Sequence, residues 1–158
     1  MQMAGNLADL PDKRARNLRQ RLLQASRQVN ISIVKALNNL GFDELRSTHT
    51  ALLSNLPLDG ASLTTVARNA GMTKQAMGRL AEDLMRLGYI MSCPDKADRR
   101  AVHLAFTDKG LDLMHKSFVV MDEIEERCAN RIGSASYQKF LTSLLEIAKE
   151  LDDSVKTS

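Results

Sequence analysis

Thr73, Lys74, Gln75 and Arg79 stand close together in the stretch Met72-Thr73-Lys74-Gln75-Ala76-Met77-Gly78-Arg79-Leu80. Their chemistry is that of hydrogen bonding to a nucleic acid. An arginine can fork onto guanine, a glutamine can bridge adenine, and a lysine can neutralise a phosphate. A threonine that caps a helix can also bond a phosphate, and a helix N-terminus itself favours an anion. Gly78 would let the backbone come close to a partner. A second cluster, Lys96, Asp98, Arg99 and Arg100, lies in Pro94-Asp95-Lys96-Ala97-Asp98-Arg99-Arg100. An arginine on a thin hairpin can enter a narrow minor groove, where the negative potential is deepest. A neighbouring aspartate can hold the guanidinium through a bidentate pair. The plainer reading of this second cluster, a solvated loop, gives way only because of the elements that precede it.

Those elements are legible. Ser62 is suited to cap a short helix over Leu63–Asn69, and Gly71 to close it. Thr73 caps again, and a helix from Lys74 to about Leu87 follows, ended by Gly88. Two capped helices joined by Ala70-Gly71-Met72-Thr73 make a helix-turn-helix. If Ala76, Met77, Leu80, Leu84 and Leu87 face the core, then Lys74, Gln75, Gly78 and Arg79 face out. Beyond Gly88 the period changes to two: Tyr89, Met91 and Cys93 alternate with Ile90 and Ser92, and Val102, Leu104 and Phe106 alternate with His103 and Ala105. This predicts a β-hairpin with a charged tip. The fold class expected is mainly α with a small β-hairpin wing: a winged helix-turn-helix flanked by N- and C-terminal dimerisation helices.

The flanks supply long helices. Leu18, Leu22, Ala25, Val29, Ile33, Ala36 and Leu40 recur at helical spacing. So do Leu111, Met114, Phe118, Met121, Ile124, Cys128 and Ile132 after a cap at Thr107. A last helix carries Phe140, Leu141, Leu144, Ile147, Ala148 and Leu151. Such stripes exceed what a small winged lobe can cover, so a second copy of the chain is expected over Leu18, Leu22, Phe118, Met121, Phe140, Leu144 and Leu151. Packing of these stripes within one chain is the alternative. A shorter helix over 47–56 should bury Leu52, Leu53 and Leu56.

The bulk numbers agree with a soluble globular chain: 158 residues, 44% hydrophobic and 26% charged. The net charge is only +3, but Lys13, Arg14, Arg16, Arg19, Arg21, Arg27 and Lys35 crowd the first 41 residues against Asp9 and Asp12. After Thr107 the acids outnumber the bases. A phosphate-facing surface requires such asymmetry, although a solvated helix face produces it too. No apolar run is long enough for a membrane span, and Met1–Leu10 lacks the pattern of a secretory signal; a cytoplasmic location is expected.

Enzyme chemistry finds no support. There is no nucleophile–base pair at a recognisable spacing, no glycine-rich nucleotide fingerprint and no paired catalytic carboxylates. Cys93 and Cys128 lack a metal-binding spacing, and His49, His103 and His115 are scattered; no metal and no cofactor is expected. Cys128, on an apolar stripe, should be buried and inert, and Cys93 has no evident resolving partner.

These motifs together resemble the multiple-antibiotic-resistance regulator (MarR) family. The resemblance runs through Ser62-Leu63-Thr64-Thr65-Val66-Ala67, Met72 to Leu80, Leu87-Gly88-Tyr89-Ile90, Asp98-Arg99-Arg100-Ala101 and Leu104-Ala105-Phe106-Thr107-Asp108-Lys109-Gly110. Asp-Arg-Arg followed by Leu-x-x-Thr-x-x-Gly is its most specific part. It covers roughly residues 45–110 by motif and the flanking helices by layout. It implies a homodimer whose first and last helices intertwine and whose two winged lobes read palindromic double-stranded DNA. By position, Arg100 is then the minor-groove arginine, Arg99 the second and Asp98 the orienting partner, with Thr73, Lys74, Gln75, Gly78, Arg79 and Lys96 on the DNA face. It also implies a small aromatic or acidic ligand in a crevice between dimer base and lobe, expected where the first two helices meet the start of the helix after Thr107. Arg46 and His49 could hold its carboxylate there, packing or surface roles being the plainer reading. His49 stands where members often have Gln, and Arg46 where they often have Thr.

The expected division is residues 1–44 for the first dimerisation helix, 45–107 for the DNA-binding lobe and 108–158 for the last dimerisation helices. The expected function is that of a dimeric transcription regulator, a repressor relieved by a ligand. The alternative is a helical protein-interaction adaptor, which would not need Lys74, Gln75, Arg79 and Arg100 exposed together.

Overall fold

The structure, a computed structural model, describes residues 17–94 and 102–156. Helix α1 (Leu18–Asn39) is followed by a 3₁₀ turn (Ser47–His49) that runs into α2 (Thr50–Leu53). Strand β1 (Ala61–Ser62) precedes α3 (Leu63–Asn69), α4 (Lys74–Arg86), β2 (Ile90–Pro94), β3 (Val102–Phe106), α5 (Asp108–Ile132) and α6 (Ser134–Lys156). The chain divides into two compact units, Met1–Phe118 and Val119–Ser158.

In the first unit the helix-turn-helix forms as its caps dictate. Ser62 Oγ accepts the Thr65 N–H at 3.1 Å, and Thr73 Oγ1 accepts the Ala76 N–H at 3.2 Å. Between them Gly71, at φ 63°, lets the chain double back: its own N–H donates to Arg68 O and the Met72 N–H to Ala67 O. This pairing satisfies carbonyls that a helix C-terminus otherwise leaves open, in a left-handed conformation that costs glycine little. Helix α4 ends with the same bond pattern, Gly88 to Met85 and Tyr89 to Leu84.

The core of this unit takes Val34 and Leu37 from α1, Leu52 and Leu53 from α2, Val66 and Ala67 from α3, and Met77, Ala81 and Leu84 from α4, with Leu104 and Leu113 beyond them. Helix α4 therefore turns Ala81 inward, while Ala76 and Leu80, expected in the core, are only half-buried. The hairpin pairs β2 and β3 antiparallel, Ile90 opposite Phe106 and Cys93 opposite His103. A third strand went unforeseen: Ala61 and Ser62 pair with Leu104 and His103, making the sheet order β1-β3-β2. A two-residue strand has no periodicity to read. Tyr89 and Ile90 are both buried and Met91 is exposed, so the expected alternation fails where the chain enters the sheet from Gly88.

The faces that the single chain buries coincide only in part with the apolar stripes read in the sequence, Ile124 being common to both. In α1 the buried residues are Val34 and Leu37, while Leu18, Leu22 and Leu40 are exposed. In α5 Leu113 is buried in place of Leu111, and farther along Val120 and Ile124 are buried. Both helices carry apolar residues on more than one side, and periodicity alone does not say which side the single chain covers. In the second unit Ile132, Phe140, Leu145, Ile147 and Leu151 are exposed. Cys128 is exposed as well, contrary to the expectation of a buried thiol. Among the described residues no helix is long and apolar enough to cross a membrane.

Candidate nucleic-acid interface

Helix α4 presents its N-terminal turns to solvent. Thr73, Lys74, Gln75 and Arg79 are exposed, as the spacing predicted. The Thr73 hydroxyl is committed to the cap, but its remaining lone pair and proton stay open to a partner. Gly78 differs from expectation. It is half-buried, and a Cβ there would lie 4.0 Å from Leu63 Cδ2 of α3. That is an ordinary van der Waals contact, so the packing of α3 on α4 does not itself require a glycine there. The wing-tip residues Lys96, Asp98, Arg99 and Arg100 lie outside the described residues, as do Lys13, Arg14 and Arg16.

The far end of α4 is fastened by the segment that opens α5. Thr107 Oγ1 donates to Gly88 O at 2.6 Å and accepts the Gly110 N–H at 3.1 Å. Lys109 Nζ donates to Leu87 O at 2.8 Å and sits 4.5 Å from the centre of the Tyr89 ring. A cation near the last carbonyls of a helix complements its macrodipole. Gly110 is buried, and a Cβ there would overlap the Tyr89 carbonyl. The Thr-x-x-Gly pattern that looked most specific in the sequence is therefore a fastening: cap hydroxyl, lysine and close approach all act on the C-terminus of α4.

The middle of α4 is tied to the segment before α2 through Asp83, which sequence reasoning missed. Its carboxylate receives Arg46, Arg86 at 2.9 Å and the His49 Nε2 at 3.2 Å. Arg86 also reaches Glu44 at 3.4 Å. His49 has no exposed surface (0%), and its Nδ1 accepts the Arg46 backbone N–H at 3.1 Å. Arg46 and His49 could have held the carboxylate of a ligand, packing being the plainer reading. Here they hold the chain's own Asp83; His49 is wholly buried, while the Arg46 side chain remains exposed. The signal available in the sequence was Asp83 three residues before Arg86 on a helix face otherwise assigned to solvent.

Beside this face a cavity of about 580 Å³ opens, lined by Asn30 of α1, by Ser47, Thr48, Thr50, Ala51 and Ser54 around α2, by Met72 of the turn, and by Ala76, Arg79 and Leu80 of α4. The sequence placed a pocket at α1, α2 and the start of α5. The observed cavity shares α1 and α2 but has α4 as its third wall. Cys93 is half-buried with its thiol 3.8 Å from His103 O. Among the described residues no group of His, Cys, Asp or Glu is placed to hold a metal ion.

A capped helix pair with its second helix open to solvent, followed by a hairpin packed on that helix, is a winged helix-turn-helix. The same fold occurs in solved transcription regulators. MarR superposes with a TM-score of 0.75 at 18% identity, over 90% of this chain and 95% of that one. The transcriptional repressor CouR, solved on a 23-mer DNA duplex, gives 0.67 at 19% identity over 94% and 98%. BpsR of Bordetella bronchiseptica, whose DNA binding is regulated by 6-hydroxynicotinic acid, gives 0.64 at 16% over 85% and 94%. The chain therefore has the fold of the MarR-type regulators. No protein-family model matches the sequence, and no curated protein matches it.

Proposed function

We propose that this chain is a sequence-specific DNA-binding transcription regulator of the MarR family, a cytoplasmic homodimer and not an enzyme, acting as a repressor that a small aromatic or acidic ligand relieves. The observation that carries the reading is the exposed N-terminal face of α4, where Thr73, Lys74, Gln75 and Arg79 stand together on a helix anchored at both ends. In this reading α4 enters the major groove with that face toward the bases. Arg100, with Arg99 and Lys96 beside it and Asp98 orienting it, reaches the minor groove from the wing.

The dimer base is formed by α1, α5 and α6. Leu18, Leu22, Phe118, Phe140 and Leu151 are exposed in the single chain, and Met121 and Leu144 are half-buried. Apolar surface on this scale is stabilised by a second copy. The ligand sits in the cavity beside Arg79, whose volume of about 580 Å³ suits a small molecule. Its hydroxyls and apolar floor match a ring bearing a carboxylate, and Arg79 is the available cation. A ligand held by Arg79 competes with DNA for the same guanidinium.

Binding of the purified protein to its own upstream DNA, by mobility shift with excess nonspecific competitor and mass-resolved stoichiometry, tests this. A dimer held on a short palindrome is the expected result. No site found there or by unbiased selection would overturn it in favour of a protein-interaction adaptor.

A further inference from the structure

We propose that His49 and Asp83 form a proton-sensitive tie that seats α4, so that DNA binding weakens as His49 takes up a proton. The inference rests on the reading of α4 as the DNA-contacting helix.

The geometry leaves one place for an added proton. The His49 ring is wholly buried. Its Nδ1 accepts the Arg46 N–H at 3.1 Å, so the neutral ring carries its proton on Nε2, facing Asp83 Oδ2 at 3.2 Å. A second proton must go to Nδ1, where the Arg46 N–H already points. Two donors then face each other in a buried space, and either the ring or the backbone at Arg46 has to move. The consequence reaches the DNA face directly, because Arg79 lies one helical turn before Asp83 and shares its side of α4.

The charged groups around the ring oppose that proton. The Arg46 guanidinium lies 3.3 Å from Nε2, and Arg86 bonds the other Asp83 oxygen at 2.9 Å. Asp83 favours the charged ring, but its carboxylate is already shared by these two cations. Glu44 is taken up by Arg86, Asp43 is exposed, and the one charged residue of α1 nearby in sequence, Lys35, is exposed. Burial first, then Arg46 and Arg86, hold the His49 pKa below the ordinary histidine value. The ring is thus neutral at neutral pH, and the tie loosens in acid.

The test compares the unaltered protein with His49→Gln on the selected DNA site, between about pH 7.5 and pH 5. Glutamine can accept the Arg46 N–H and donate to Asp83, but it takes up no proton. The affinity of the unaltered protein is expected to fall about tenfold more across that range than that of His49→Gln. His103 and His115 are present in both, so their effect cancels in the comparison. Equal pH slopes overturn the proposal. A second arm needs no DNA and no variant: NMR titration of the histidine rings in the full chain. The expected result is His49 titrating below the ordinary histidine value, with the Arg46 and Asp83 amide signals moving in step. Titration at the ordinary value with those amides still overturns the tie. If the rings behave as expected but no DNA is bound at any pH, the DNA reading fails and with it the effect on binding, while the tie between His49 and Asp83 stands.

Discussion

Thr107 donates its hydroxyl proton to the Gly88 carbonyl oxygen at 2.6 Å. One side chain thereby caps α5 and closes the end of α4. Thr107→Val removes both bonds while keeping the shape, and should destabilise the protein by about 1–3 kcal/mol. Gly110→Ala is expected to cost more than the threonine change, since its Cβ would overlap the Tyr89 carbonyl and the backbone must shift. Urea unfolding of the two variants checks both the loss and its order.

Arg79 is exposed, so Arg79→Ala should change folding stability by no more than about 0.5 kcal/mol. Its effect on specific DNA affinity should be far larger, about 1–3 kcal/mol for a lost bidentate base contact. Arg100→Ala should also lower DNA affinity sharply, with dimerisation retained in both. Unchanged affinity in either variant removes that residue from the interface.

Lys74 and the basic wing act on phosphates in this reading, and phosphate contacts release counterions. The logarithm of affinity should fall linearly with that of salt, with a slope near −0.9 for each phosphate neutralised. Lys74→Ala should reduce the slope by about one, uniformly across DNA sequences. A flat dependence speaks against both elements as phosphate contacts.

Acid should weaken the folded protein itself through His49. Its pKa in the folded chain is held below the ordinary histidine value, by burial first. Below about pH 6.5 the unfolded chain therefore binds a proton that the folded chain resists. The stability His49 contributes is present above that pH and is lost as pH falls toward the folded value. Thermal unfolding between about pH 7 and pH 5 should shift less in His49→Gln than in the unaltered protein.

Phe140 is 51% exposed, so Phe140→Glu should leave the single chain folded. In the proposed dimer a charge buried in the apolar base would cost several kcal/mol, and dissociation should follow at concentrations where the unaltered protein pairs. Sedimentation equilibrium separates the two, and an unaltered dimer would place the contact elsewhere.

The local chemistry of this chain was legible in its sequence. Ser62, Gly71, Thr73 and Gly88 set the ends of α3 and α4 because caps and turns are made by neighbours a few residues apart, and the exposed positions of Lys74, Gln75 and Arg79 follow from helical period. The side of a long helix that the chain covers did not follow: α1 buries Val34 and Leu37, and α5 buries Leu113, out of step with the stripes that periodicity favoured. Asp83 and His49 were separately visible, but only the fold brings residues 34 apart in sequence to 3.2 Å. That contact decided that the carboxylate held by Arg46 and His49 is an internal one. Sequence determines what is settled by adjacent backbone groups; burial and charge pairing between distant elements are settled by packing, which a single chain's pattern does not encode position by position.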